Sequence, residues 1–86
     1  MNFLDDIDLF TEKELKTFRN CTKDIEDRRI LYFLELELGY ITLFPNTNYF
    51  KELDERLQKF KRIYKMGNVR IAETRKIIEV LHKSLF

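Results

Sequence analysis

A hydrolytic triad needs a nucleophile, a base and a group that orients the base, all able to converge. The 86-residue chain holds one Ser, one His and one Cys, namely Ser84, His82 and Cys21. Ser84 and His82 are two positions apart, whereas side chains on a helix meet at separations of three or four, so they do not form a nucleophile–base pair. Cys21 and His82 can meet only through tertiary folding. Cys21 is therefore read as an ordinary half-buried thiol, and His82 as a structural residue at the edge of a helical seam.

Metal chemistry has no better support. There is no pair of Cys or His residues at ligand spacing, and zinc wants four such groups. Asp5, Asp6 and Asp8 resemble the start of a calcium loop but lack its glycine and later bidentate Glu, so they read as a solvated leader. With only Gly39 and Gly67, a glycine-rich phosphate cradle is excluded. The expectation is a protein that is not an enzyme, with no metal, no cofactor and no small-molecule substrate.

Two surfaces come nearer to a functional signal. The first is the basic series Lys59, Lys61, Arg62, Lys65, Arg70, Arg75 and Lys76, which straddles Gly67. Two helices meeting at a short turn with cations on both is how a DNA-binding helix-turn-helix begins. However, Lys59 to Lys65 end a helix, where cations stabilise the negative pole of the dipole, and Glu52–Arg56 and Glu55–Lys59 are favourable i,i+4 pairs. Large residues at Ile63, Tyr64 and Met66 also crowd that turn. The second surface is aromatic: Tyr40, Phe44 and Tyr49, with Phe50, surround Pro45, and aromatic side chains anchor protein interfaces.

The elements that must position these groups are read from punctuation and period. Thr11 with Glu14 forms a capping box, and Phe10 can pack on Leu15 as a hydrophobic staple, so a short first helix starts there. It is expected to loosen near Asn20 and Cys21, with Thr22 capping a second helix whose positive end suits Asp24, Glu26 and Asp27. Ile30 to Phe44 fits either a helix or a β-hairpin. Leu34, Leu36 and Leu38 alternate with Glu35 and Glu37, but Leu and Glu are strong helix formers and Gly39-Tyr40 is not a favoured hairpin turn. Helix is the favoured reading, with Gly39 as its C-terminal cap.

Pro45 ends that element, and Asn46, Thr47 or Asn48 can cap the next. Phe50, Leu53, Leu57, Phe60 and Tyr64 recur at intervals of three and four, as do Ile71, Thr74, Ile78, Leu81 and Leu85. Gly67 stops the first of these helices and Asn68 can cap the second, so the two should fold back as an antiparallel hairpin. The fold class expected is all-α: a small helical bundle of one short N-terminal helix and three longer helices, in one domain spanning 1–86.

Charge and length narrow the function. The net charge is +1, yet residues 1–50 carry −4 and residues 51–86 carry +5. That split fits a nucleic-acid footprint or two complementary halves of one bundle. A lone cysteine excludes an internal disulfide and points to a reducing compartment. The acidic first residues do not resemble an export signal, and the longest apolar run, Ile30 to Leu34, is far below the roughly 20 residues that span a bilayer. A cytoplasmic, non-membrane protein is expected. Helix 2 holds more large apolar groups than one small core can hide, which suggests an exposed patch and self-association through that helix. The function expected is a small regulator, inhibitor or adaptor that binds another protein; the alternative is a small nucleic-acid-binding regulator using the basic second half.

Overall fold

The computed structural model describes residues 10–44 and 48–86, and all regular structure among them is helical. Four helices follow in order: α1 (Glu12–Thr22), α2 (Arg28–Leu43), α3 (Tyr49–Tyr64) and α4 (Asn68–Leu85). One short helix and three longer ones are the expected set. The acidic leader at Asp5, Asp6 and Asp8 and the connection at Pro45, Asn46 and Thr47 lie outside the described residues.

α1 begins with the capping box read from the sequence. The Glu14 amide donates to Thr11 Oγ1 at 3.2 Å, and the Thr11 amide donates to Glu14 Oε1 at 2.8 Å. Phe10 and Leu15, the residues of the staple, are both buried in the core. The helix does not loosen at Asn20 and Cys21 but runs on to Thr22, whose hydroxyl donates back to the Phe18 carbonyl at 2.9 Å. Thr22 is thus the last residue of α1 rather than a cap of α2. That role falls to Asp27, which accepts from the Arg29 amide at 2.9 Å and from its guanidinium at 2.8 and 3.1 Å. The hydrogen bonds from the Arg29 side chain hold the Asp27 carboxyl down to about 2, against the opposing effect of burial.

α2 settles the choice over residues 30–44 in favour of helix. Leu34 and Leu38, one turn apart, are fully buried while Leu36 is exposed, a helical rather than an alternating pattern. Gly39 does not end the helix. It is buried within it, and the chain continues to Leu43 because Ile41 beyond it is 2% exposed; that burial outweighs the roughly 1 kcal/mol cost of an interior glycine.

α3 and α4 keep the expected seams with small shifts. Tyr49, Leu53, Leu57 and Phe60 are buried on α3, with Phe50 half-buried and Tyr64 exposed; on α4 the buried set is Ile71, Thr74, Ile78 and Leu81. α3 ends at Tyr64, and Lys65 takes the left-handed conformation at φ 53° usually given to glycine. Gly67, at φ −77°, instead precedes α4 as its N-cap, so Asn68 is the first residue of α4 and not its cap. Asn68 accepts a hydrogen bond from Lys61. Contacts between α3 and α4 step in opposite senses, Lys61 with Asn68, Asp54 with Arg75, and Tyr49 with His82, which fits the antiparallel hairpin. α1, α2 and α3 all pack on α4.

Candidate functional site

α2 and α3 are joined side by side by contacts that also run in opposite senses. Arg29 donates to the Tyr64 carbonyl at 3.2 Å, Phe33 stacks on Phe60 with centroids 4.6 Å apart, and Glu37 meets Arg56. The last contact is the electrostatic anchor of the molecule. Glu37 lies in the most apolar stretch of the chain and is 1% exposed, where a carboxylate is tolerated only if paired and hydrogen-bonded. It is both. Arg56 Nε donates to Oε2 and a terminal guanidinium nitrogen to Oε1, each at 2.7 Å, while the Tyr49 hydroxyl donates to Oε1 at 2.9 Å. The Tyr40 ring covers the outer face of the guanidinium, 4.0 Å from Cζ to the centroid, a favourable cation–π geometry. Burial, followed by the Glu37 charge, pushes the Tyr49 phenol far above its ordinary range, so it acts as a fixed hydrogen-bond donor.

Above this anchor lies an apolar face. Tyr32, Leu36, Tyr40 and Leu43 on α2, Phe44 directly after it, and Ile63 and Tyr64 on α3 are each between 37% and 70% exposed. On α2 the intervals of four, four and three between Tyr32, Leu36, Tyr40 and Leu43 set them on one side of the helix, and Phe44 adjoins them just beyond its end. Two depressions open on either side of Leu36. One of about 200 Å³ lies between α2 and α3, walled by Tyr32, Phe33, Phe60 and Ile63. The other, of about 390 Å³, lies beside Gly39 between Tyr40, Leu43 and Phe44.

The residues singled out from the sequence fall in different places. Tyr40 and Phe44 stand on this face, whereas Tyr49 is 5% exposed and lies beneath it. Of the basic series, Arg70 pairs with Asp27 at 3.8 Å, Arg75 with Asp54 at 2.7 Å and Glu79 at 3.0 Å, and Lys61 with Asn68. Lys59, Arg62, Lys65 and Lys76 are exposed, the first three at the end of α3 and the last on α4. Arg56 lies only 4.0 Å from Glu52, its expected i,i+4 partner, and takes Glu37 as its main one. The pairing with Glu37 was not foreseen, although a glutamate among Leu34, Leu36 and Leu38 is the signal that a buried partner is required.

Cys21 lines a depression of about 380 Å³ with Lys76, Ile77 and Val80, and burial raises its thiol above the usual value, which disfavours the nucleophilic thiolate. His82 lies elsewhere, stacked on Tyr49 with centroids 5.3 Å apart and flanked by Phe50 and Phe86. The Ser84 hydroxyl donates to the Val80 carbonyl at 2.8 Å. Among the described residues, no cluster of three or more His, Cys, Asp or Glu side chains is placed to hold a metal ion. No described helix is long and apolar enough to cross a membrane.

These features define a class: a small all-helical protein whose second and third helices carry an apolar face above a buried ion pair. No protein-family model, curated protein or solved structure matches the chain.

Proposed function

We propose that the protein acts by binding another protein through the α2–α3 face, as a small non-catalytic regulator, inhibitor or adaptor. The observation that carries this reading is the run of seven large apolar side chains left in solvent on one face while sixteen others fill the core. A monomer gains nothing by leaving such a contiguous patch wet, and patches of this kind mark interaction sites. The Glu37–Arg56–Tyr49 anchor holds Tyr40 in place before any partner arrives, which lowers the ordering cost of binding.

Affinity capture from the native host with wild type, Tyr40→Ala and Phe44→Ala tests the reading. Both variants should keep the helical circular dichroism of the wild type. Truncating an interface anchor costs about 2 kcal/mol or more, so the captured partner should bind roughly 30-fold more weakly to each variant. A partner that both variants retain at wild-type affinity would place the interface on another surface.

A further inference from the structure

The face is built to match itself, and we propose that its occupant is a second copy of this chain, docked antiparallel about a two-fold axis between Leu36 and Tyr40. The inference rests on the reading of this face as a protein-binding surface and names the partner.

On α2, the positions of Tyr32, Leu36, Tyr40 and Leu43 nearly coincide with themselves when the helix is reversed about a point between Leu36 and Tyr40, so that a tyrosine falls opposite a leucine each time. Leu36 of one protomer then faces Tyr40 of its partner, and Tyr32 faces Leu43 and Phe44. The depressions on either side of Leu36 give these side chains holes to enter. α3 carries a matching electrostatic pattern. Glu52, Arg56, Lys59 and Ile63 share one side of that helix, with the acid and the lysine seven residues apart on either side of Arg56. Because Arg56 is fixed on Glu37, the midpoint of that pair is level with the midpoint of the α2 stripe.

One rotation therefore satisfies both helices. It lays α2 on α2 and α3 on α3, and it brings Glu52 of each protomer to Lys59 of the other. A closed, isologous interface needs this kind of self-complementarity. A parallel docking sets the two α3 helices on opposite sides of the α2 pair and forfeits both charge contacts.

Sedimentation equilibrium of the full chain over a range of concentrations tests the proposal. The expected limiting mass is twice the 10.6 kDa of one chain. Glu52→Lys and Lys59→Glu each create two like-charge contacts per dimer, so each variant alone should self-associate about tenfold or more weakly than wild type. An equimolar mixture of the two restores opposite charges at both contacts and should recover dimer. Unchanged dimerisation in both single variants, or a mixture no tighter than either alone, would overturn the antiparallel docking. A chain that remains at 10.6 kDa at every concentration would overturn self-docking altogether. In that case, loss of a different captured protein by the Tyr40 and Phe44 variants would show that the face still binds, whereas retention would show that the face reading itself had failed.

Discussion

At the residue level the molecule distinguishes two kinds of ion pair. Arg75 holds Asp54 and Glu79 on the surface, where water screens the attraction and holding long side chains still costs entropy. Arg56 holds Glu37 in the interior, where removing one partner leaves the other charge buried without compensation. Arg56→Ala should therefore lower unfolding stability by about 3 kcal/mol, and Arg75→Ala by no more than about 1 kcal/mol. Urea denaturation of the two variants checks the difference through the midpoint. Equal midpoints would mean that Glu37 finds water or another donor when Arg56 is gone. The same substitution removes the cation beneath Tyr40, so a partner bound through that ring should also be lost.

At the level of the elements, the helix ends are where local chemistry and the fold part company. Lys65 occupies the left-handed region at φ 53°, in which a Cβ crowds the following carbonyl. The glycine that would fit there lies two residues later, at a position that needs no such freedom and where an added Cβ would meet nothing within 4 Å. Lys65→Gly should raise stability by about 1 kcal/mol, and thermal unfolding should show an increase of several degrees in midpoint; an unchanged or lower midpoint would mean that loss of the lysine stem outweighs the relief. The misplaced stop signal explains one limit of the sequence. Gly67 marked the α3–α4 connection correctly but not the residue in the strained conformation. The seams of α3 and α4 were legible because a three-and-four period survives any tertiary context that buries one side. α2 was ambiguous because it is apolar around most of its circumference, buried toward the core and exposed toward Tyr32, Leu36 and Tyr40, so neither period dominates. Gly39 misled for the same reason: the pull to bury Ile41 lies beyond it in the chain and is not a local property. Tyr40 and Phe44 could be picked out beside the proline, but the burial of Tyr49 depends on Glu37, twelve residues back, and spacing alone does not reveal such a pairing.

At the level of the whole molecule, the question is what remains of the charge split between −4 and +5 once the helices pack. Part of it is cancelled internally. Glu37 and Asp27 of the acidic half are engaged by Arg56 and Arg70 of the basic half, while Arg75 pairs with Asp54 and Glu79 within the basic half and leaves the split unchanged. The cations still facing solvent in the basic series are Lys59, Arg62 and Lys65 at the end of α3, with Lys76 on α4 and with Arg70, which also pairs with Asp27. A polyanion could thus engage about three or four of them together, and each phosphate contact contributes through counterion release. Three or four contacts imply that duplex DNA binding falls roughly 40-fold to 150-fold between 50 and 200 mM salt, leaving a dissociation constant weaker than about 10⁻⁴ M at the higher value. Fluorescence anisotropy with a labelled duplex at the two salt concentrations measures both quantities. Sub-micromolar binding that survives 200 mM salt would require base contacts or a denser cationic surface than α3 and α4 present, and would make nucleic acid rather than protein the partner.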